Sequence, residues 1–356
     1  MMTRDGLTAC VPRPIEIART GRGTGDHGSP VLRWGLLGTA RINHMVIPPL
    51  RASSRNRLDA VASRTPRRAD EYAREWGIAR ALGSYEALLA DPAIDAVYIA
   101  LPNALHAEWS VRAVEAGKHV LCEKPLALSV AEVDAVAAAA AGSGRLVAEA
   151  FMYRHHPQSD LVVGLVRRGA IGDVRLMRGS FRFTHTRPED ARWLLEMGGG
   201  SLWDVGCYPV SFARMVMGTE PLEVSAEQVV GPTGVDIALS GVLRFPGGAV
   251  AQVDSSLSAP FHTIMDISGT TGRLIVRNPF KPGIGATVDL VDAQGRVRTL
   301  AAADQELYSG EVEDLASAVL DGTPPRISLA DSRGNTAALV GLLEAARTGQ
   351  TVSLRV

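Results

Sequence analysis

Short apolar runs alternate with amphipathic helical patterns between residues 31 and 150, and this alternation limits the fold more than any other feature of the sequence. The apolar runs are VLRWGLL, RLDAVAS, DAVYIAL, HVLCE and RLVAEAF. The segments between them carry apolar residues at helical spacing and end near glycine, as helices do. Such alternation is typical of a parallel sheet with crossover helices, so we expect about six strands before Met152.

The pattern changes after His155. A helix-like segment that ends at Gly169 is followed by longer runs in which apolar and polar residues alternate, and this alternation favours half-buried, mostly antiparallel strands. Two further helices are predicted near residues 306–320 and 331–346. The fold class is therefore α/β. We expect a parallel-sheet domain at residues 31–152 and a second α/β domain at residues 153–356 with a large, open, mostly antiparallel sheet.

Composition excludes several classes of protein. The net charge is −1 and 46% of the residues are hydrophobic, so neither disorder nor nucleic-acid binding is indicated. Cys10, Cys122 and Cys207 are too few and too far apart for a disulfide framework or a zinc site, and they fit a reducing cytoplasm. Residues 1–30 lack the apolar core of a signal peptide and are expected to be a flexible extension. We therefore expect a cytoplasmic protein without a metal, nucleic-acid or membrane partner.

The first strand ends in a turn, Gly38 to Asn43, that occupies the place of the G-x-G-x-x-G phosphate-binding motif. Only the first glycine of that motif is present. A plain strand-to-helix turn would also fit these residues, but the position after the first strand of an alternating series favours dinucleotide binding. The candidate cofactor contacts in this turn are Gly38, Thr39, Ala40, Arg41 and Ile42.

The second strand ends where a dinucleotide's ribose would lie. NAD-binding proteins commonly place an acidic residue there, whereas this sequence has Ser63, Arg64 and Arg68. A hydroxyl and guanidinium groups suit a 2′-phosphate, which predicts NADP(H) as the cofactor. A solvated arginine cluster at a helix start is the alternative explanation.

Two more loops follow strands of the predicted sheet, LPNALH after one and EKP after the next. Open α/β sheets bind ligands at the carboxyl ends of their strands. Leu101, Asn103, His106, Glu123 and Lys124 are therefore candidate cofactor contacts.

Lysine is scarce in this chain: Lys118, Lys124 and Lys281 are the only lysines among 37 basic residues. A lysine, unlike an arginine, can lose its proton near neutral pH when it is desolvated. Lys124 lies between a buried strand and Pro125. There it can hydrogen-bond a substrate hydroxyl and assist proton transfer at the oxygen of a reacting carbon. A structural pair with Glu123 on the surface is the alternative. The sequence leaves the isomer of the peptide bond before Pro125 open.

A glycine-rich loop, GGGSLWDVGCY, opens a predicted helix in the second domain. Asp204 and Tyr208 are four residues apart and so share one face of that helix, where an acid beside a phenol gives a proton relay. Structural roles would also fit this spacing. The adjacent His155 and His156 lack a carboxylate at helical spacing and favour a loop or cap rather than a metal site.

Taken together, the glycine turn, PNxLHxEW, EKP, EAFMYRHHPQ and GGGSLWDVGCYPV resemble the glucose–fructose oxidoreductase, inositol dehydrogenase and rhizopine-catabolism family. The resemblance covers nearly everything after Val31. It implies an N-terminal Rossmann domain and a C-terminal domain whose open sheet covers the cleft and usually makes a dimer contact. A homodimer or homotetramer is therefore expected.

The resemblance also implies roles for individual residues. Lys124 matches the lysine that faces the reacting carbon, Asp204 the acid, and Tyr208 the proton donor or acceptor. Many relatives have histidine where this chain has Tyr208, and tyrosine resembles the xylose dehydrogenases, dihydrodiol dehydrogenases and sugar 3-ketoreductases. The predicted substrate contacts are Lys124, Arg154, Arg192, Trp193, Asp204 and Tyr208.

These features predict an oxidoreductase of CH–OH groups that transfers a hydride between NADP(H) and a ring carbon of a sugar. The leading hypothesis is an aldose 1-dehydrogenase acting on D-xylose or a similar sugar, because of EAFMYR and of DARW before the glycine loop. The alternative substrate is a nucleotide-linked sugar, reduced at its 3-keto group. A cofactor-binding sensor without catalysis is the alternative from another class.

Overall fold

A computed structural model describes residues 30–354 of the chain. The extension predicted at the N-terminus lies outside the described residues except for Pro30. Two separate sheets, one of six strands and one of nine, organise the described part.

The first sheet is entirely parallel, in the order β3-β2-β1-β4-β5-β6. Its strands are short and apolar because helices cover both faces. The elements are β1 (Leu32–Leu37), α1 (Asn43–Ala52), β2 (Asn56–Ala62), α2 (Pro66–Trp76), β3 (Arg80–Leu82), α3 (Tyr85–Leu89), β4 (Ala96–Ile99), α4 (His106–Glu115), β5 (His119–Glu123), α5 (Val130–Ser143) and β6 (Val147–Ala150).

The strand order places β1 beside β4 at the centre of the sheet, where successive connections leave in opposite directions. Such a switch point opens a crevice at the carboxyl ends of the strands, and open α/β sheets bind their ligands there. The loops after β1, β2, β4 and β5 contain the residues predicted to bind the cofactor. The order and direction of the strands are those of a Rossmann fold, as predicted.

The second sheet follows a helix and a long loop. Its elements are α6 (Pro157–Arg167), β7 (Val174–Thr184), α7 (Cys207–Met217), β8 (Glu223–Val230), β9 (Asp236–Arg244), β10 (Val250–Ser256), β11 (Ser258–Gly269), β12 (Gly272–Arg277), β13 (Thr287–Asp292), β14 (Val297–Ala301), α8 (Ser309–Asp321), α9 (Leu329–Thr348) and β15 (Val352–Ser353).

Nine strands form this second sheet in the order β14-β13-β12-β11-β7-β10-β9-β8-β15, and only the pairing of β7 with β10 is parallel. Met177 and Phe181 on β7 are buried on the face that α7 covers. Gly179 lies between them, because a Cβ there would come within 2.7 Å of Pro209 on α7. Arg178 and Arg182 lie on the opposite face and line a groove of about 590 Å³.

Helix α8 belongs to the C-terminal half of the sequence but packs against the first domain. Arg55, just before β2, binds Asp321 at the end of α8 with a distance of 2.6 Å between Nη2 and Oδ2. The division of the chain at residue 152 stays a prediction. Among residues 30–354, no helix combines the length and apolar character that crossing a membrane requires.

Candidate active site

A cavity of about 470 Å³ opens at the carboxyl ends of β1, β2 and β4. The predicted cofactor contacts that line it are Gly38, Thr39, Ala40, Ser63, Arg64, Arg68 and Leu101. The cavity is also lined by four residues that were not predicted to bind the cofactor, Thr65, Tyr85, Ala100 and Pro102.

The turn after β1 presents backbone donors to this cavity. Gly38 has a φ of +109°, which only glycine adopts readily, and the side-chain amide of buried Asn43 donates to the Gly38 carbonyl at 2.9 Å. Across the described part of the chain, the backbone N–H groups of residues 39–42 find no acceptor. A run of unpaired N–H groups before a helix is suited to bind phosphate, so the turn fits a dinucleotide's pyrophosphate.

Two arginines after β2 lie at the far side of the cavity. The Arg68 Nε donates to the Thr39 hydroxyl at 2.8 Å and so links the two loops. Burial raises the pKa of Tyr85, and the nearby charges of Arg64 and Arg68 oppose that shift. Arg67 does not line the cavity and lies 3.7 Å from Glu71. Two guanidinium groups therefore line the cavity at the end of β2.

Three of the predicted cofactor contacts make other interactions. Both ring nitrogens of buried His106 lie 2.7 Å from a carbonyl oxygen, one of Leu101 and one of Pro125, so this side chain ties two loops together. The Asn103 amide donates to the Gly198 carbonyl at 2.8 Å and links the first domain to the glycine-rich loop. The Glu123 carboxylate accepts from the Tyr98 hydroxyl. These residues shape the loops around the cavity rather than line it.

The other members of the predicted set are found near the cavity. Arg41 is exposed and Ile42 is partly buried, and neither side chain lines the cavity. Their contribution to the site is therefore the backbone N–H groups described above.

Lys124 follows β5 and joins the two domains. Its ammonium donates to the backbone carbonyl of Asp204 and lies 3.6 Å from the Asp204 carboxylate. It also lies over the Tyr208 ring, 4.8 Å from the ring centroid. The peptide bond between Lys124 and Pro125 is cis. Lys124 therefore contacts both of its predicted partners, Asp204 and Tyr208.

Asp204 lies in a π-helical turn, Leu202–Gly206, that precedes α7. Asp236 at the start of β9 fixes this turn by accepting from the Ser201 hydroxyl at 2.7 Å and from the Leu202 N–H at 2.8 Å. Gly200 has a φ of +115°, and a Cβ there would lie 2.1 Å from the Asp236 carboxylate. The glycine-rich loop is thus needed for the close approach of Asp236.

Arg192 binds Asp204 from the other side. Its Nε donates to Asp204 Oδ2 at 2.7 Å, and its Nη1 donates to Asp190 Oδ1 at 3.0 Å. Burial disfavours the charged form of Asp204, but Lys124 and Arg192 outweigh burial and hold the pKa of Asp204 below its ordinary value. Arg192 therefore lies against the predicted acid, and its contact with substrate stays a prediction.

His185 extends this network and was missed by the sequence analysis. Its Nε2 lies 3.5 Å from Asp190, and its ring lies 5.6 Å from that of Trp193. The Trp193 indole donates to the carbonyl of Arg187, so Trp193 lies next to the charged cluster without binding it. No motif in the sequence connects His185 with Asp190 or with Asp204.

Tyr208 does not form the predicted relay with Asp204. Its hydroxyl donates to the sulfur of Met152 at 3.7 Å, whereas the Asp204 carboxylate binds Arg192 and Lys124. The π-turn explains the difference, because its wider i→i+5 hydrogen bonding means that Asp204 and Tyr208 no longer face the same direction, as they would in an ordinary α-helix. Burial raises the pKa of Tyr208.

Arg154 is held by protein partners, and its predicted contact with substrate stays a prediction. Its Nη2 lies 2.6 Å from Asp331 Oδ2, and its Nη1 donates to the Ser211 hydroxyl at 3.2 Å. A largely buried guanidinium needs an acceptor. Asp331 on α9, which is far from Asp204 in the sequence, is that acceptor. Asp331 also binds the buried Arg214 at 2.9 Å.

Histidine side chains have structural roles next to this network. His156 caps α6 by accepting from the N–H of Gln158, as predicted, and His155 lies 3.3 Å from Asp314. In the part of the chain that the structure describes, no three His, Cys, Asp or Glu side chains come together as a metal site would require.

Comparison with known proteins identifies relatives over most of the chain. Residues 32–151 match the Gfo/Idh/MocA oxidoreductase family with an NAD-binding Rossmann fold, and residues 161–275 match the C-terminal domain of the same family. The chain is 39% identical to the NADP(+) D-xylose 1-dehydrogenase 2 of Haloferax volcanii, over 91% of this chain and 100% of the relative.

Two solved structures are similar to this one throughout. The aldose–aldose oxidoreductase of Caulobacter crescentus, complexed with glycerol, has a TM-score of 0.84 and 30% identity and matches 91% of this chain and 100% of its own. A 3-ketoreductase of Actinomadura kijaniata with NADP and TDP-benzene has a TM-score of 0.84 and 31% identity, and the match covers 88% and 98%. The predicted fold, family and nicotinamide dinucleotide cofactor are thereby confirmed.

Gly38→Ala is expected to weaken dinucleotide binding. An added Cβ would lie 3.0 Å from the Leu101 side chain, and alanine is strained at a φ of +109°. The free variant relieves this strain by moving the turn, and dinucleotide binding must then restore the strained conformation. A strain of about 1–3 kcal/mol corresponds to a roughly 5- to 150-fold rise in Kd, measured by fluorescence titration with NADPH.

Gly142→Ala is the matched control, because a Cβ at Gly142 meets no atom within 4 Å. Its Kd should equal that of the wild type. An unchanged Kd in Gly38→Ala would contradict the role assigned to the turn.

Proposed function

Because this chain belongs to the Gfo/Idh/MocA family of oxidoreductases, we propose that it is an NADP(H)-dependent aldose 1-dehydrogenase, with D-xylose as the first candidate substrate. The observation that carries the proposal is the meeting of Lys124, Asp204 and Tyr208 next to the dinucleotide cavity. Similarity to the Haloferax xylose dehydrogenase over nearly the full length of both chains supports the choice of sugar.

The two cations at Asp204, Arg192 and Lys124, give no support to a nucleotide-linked sugar over a free one. Arg192 is already bound by Asp190 and Asp204, and Lys124 is bound by Asp204. A nucleotide diphosphate needs cationic groups that are free to bind it. The 3-ketoreductase hypothesis nevertheless keeps the support of the similar structure from Actinomadura kijaniata.

The nicotinamide, when bound, supplies or accepts the hydride. In the proposed mechanism the Lys124 ammonium, positioned by Asp204, hydrogen-bonds the substrate oxygen at the reacting carbon and stabilises negative charge there. The Tyr208 hydroxyl gives the proton in reduction and becomes a phenolate; in oxidation the phenolate, near the positive charge of Lys124, takes the proton of the substrate hydroxyl. Its present partner, the thioether of Met152, is a weak acceptor, so exchange for a substrate oxygen costs little.

The preference for NADP(H) rests on Arg64 and Arg68. Both line the cavity after β2, at the place where NAD-binding proteins commonly have an acidic residue. Guanidinium groups bind phosphate through paired N–H donors, which a ribose hydroxyl cannot match.

We propose self-association through the second sheet. The groove lined by Arg178 and Arg182 lies on the face opposite α7, where a second copy of the chain would bind. The homodimer or homotetramer and the cytoplasmic location stay predictions.

The function is tested by the initial rate of NADP⁺ reduction across a panel of free aldoses and cyclic diols, with NAD⁺ in parallel. We expect turnover with D-xylose or another free aldose. Absence of turnover with every free sugar, together with NADPH-dependent reduction of a nucleotide-linked 3-keto sugar, would support the 3-ketoreductase hypothesis instead. Dinucleotide binding without turnover in either assay would favour the sensor hypothesis.

Tyr208→Phe is expected to lower kcat by about 10²–10⁴-fold, the usual contribution of a general acid. The Kd for NADPH should not change, because Tyr208 lies outside the dinucleotide cavity. Steady-state kinetics and fluorescence titration measure the two quantities. A kcat equal to that of the wild type would indicate that the Lys124 ammonium, and not Tyr208, is the general acid.

Arg64→Asp is expected to raise the KM for NADP⁺ by about 10–100-fold and to leave that for NAD⁺ equal or lower, because a carboxylate repels a 2′-phosphate and accepts from a ribose hydroxyl. Arg67→Asp is the matched control, since Arg67 lies outside the cavity. Equal effects of both substitutions would show a general charge effect and refute the specific role of Arg64.

A further inference from the structure

The third lysine of the chain, Lys281, lies at the same site as Lys124. It follows Phe280 in the loop between β12 and β13. The buried Phe280 ring stacks on Phe181 with centroids 5.4 Å apart and an interplanar angle of 9°, and it lies 5.7 Å from the Tyr208 ring. Phe280 thus anchors its loop in the aromatic cluster beneath the active site.

The backbone of Lys281 is held by a second contact. Asn278 has a φ of +54°, and among residues 30–354 it is the only non-glycine residue with a positive φ. Its side-chain amide donates to the Lys281 carbonyl at 2.6 Å, and its Oδ1 accepts from the Thr263 hydroxyl at 3.4 Å. An unusual backbone conformation fixed by side-chain bonds is a common feature of positioned functional loops.

The ammonium of Lys281 lies over the Phe181 ring, 5.8 Å from its centroid, and Phe181 is in turn 5.4 Å from Tyr208. The charges that act on it are those of Lys124, Asp204, Arg192 and Glu123. Burial lowers the pKa of Lys281, the positive charge of Lys124 adds to this effect, and Asp204 opposes it. The residue nevertheless stays exposed, so its position fits the wall of an open cleft.

The three lysines differ in what their ammonium groups bind. That of Lys118 donates to the carbonyls of Asp91 and Ile94, and that of Lys124 binds Asp204. Within residues 30–354, the Lys281 ammonium has no hydrogen-bond acceptor and no carboxylate within 4 Å. A partly desolvated ammonium without a protein acceptor is suited to bind an oxygen of a ligand.

We infer that Lys281 is a substrate-positioning residue whose ammonium donates a hydrogen bond to a ring hydroxyl of the sugar, away from the oxygen that Lys124 binds. Two lysines then hold the substrate at two points, and a sugar is selected over a substrate without the second hydroxyl. This inference rests on the proposed function in that it takes a polyhydroxylated ring as the substrate.

The test compares Lys281→Met, which keeps the length of the side chain but has no donor, with Lys281→Arg, which keeps the donors. Arg298→Met removes an exposed cation on β14 and is the control for net charge. For Lys281→Met we expect a tenfold or larger rise in KM for the sugar, with kcat and the Kd for NADPH within threefold of the wild type. Loss of binding common to ground and transition states has this signature.

Substrate analogues identify the hydroxyl. Wild-type enzyme should discriminate at least tenfold in kcat/KM between the sugar and one of its monodeoxy analogues, and Lys281→Met should lose this discrimination. Lys281→Arg should recover at least part of it. Equal discrimination by the wild type and Lys281→Met would overturn the inference.

A binding measurement separates this inference from the proposed function. Protein labelled with ¹³C at lysine Cε gives one resonance for each of three lysines, and the Lys281→Arg variant identifies that of Lys281. Titration with D-xylose should shift this resonance saturably, even if the sugar is not turned over. Absence of turnover would refute the dehydrogenase, whereas absence of a shift for Lys281 would refute its role in binding sugar.

Discussion

The active site depends on the charge balance around Asp204. This buried carboxylate is bound on one side by Lys124, at the end of a Rossmann strand, and on the other by Arg192, from the long loop of the second domain. Removal of these charges from water is costly unless each has a partner, so their mutual contacts hold the cleft in one arrangement. Asp190 provides a second carboxylate for Arg192, and the pocket therefore contains two cations and two anions at close range.

Local backbone geometry decides which atoms of Asp204 meet Lys124. The π-turn presents both the backbone carbonyl and the carboxylate to the ammonium. Asp236 fixes this turn through Ser201 and Leu202, and burial raises its own pKa to about 6. The approach of Asp236 in turn requires the positive φ of Gly200. The glycine-rich motif thus serves the acid through a buried contact from another strand.

The sequence predicted the parts of the structure that local patterns determine. Alternating apolar runs predicted the parallel sheet. The positions of Gly38, Arg64 and Lys124 directly after its strands predicted that these residues belong to the candidate site. The strands β13, β14 and β15 were not assigned to particular residues: β15 spans only two residues, and β13 and β14 lie at the other edge of the second sheet. The protein partners of His106 and Arg154 could not be known from the sequence: His106 bonds the carbonyls of two loops, and the partner of Arg154 is Asp331, which is far away in the sequence. The orientation of Tyr208 depends on a π-turn that no sequence pattern indicated.

The aromatic cluster explains how two lysines can share one site. Tyr208, Phe181 and Phe280 pack with centroids 5.4–5.7 Å apart, and Lys124 and Lys281 lie over the rings of Tyr208 and Phe181. The face of an aromatic ring stabilises a nearby cation by about 0.5–2 kcal/mol without a hydrogen bond. The cluster therefore compensates part of the desolvation of each ammonium without occupying a donor. Arginine carries nearly all of the other positive charge in this chain. Its planar guanidinium would present a fork of fixed donors in this place, whereas a lysine ammonium can turn its three protons toward the oxygens of a ring that lies above it.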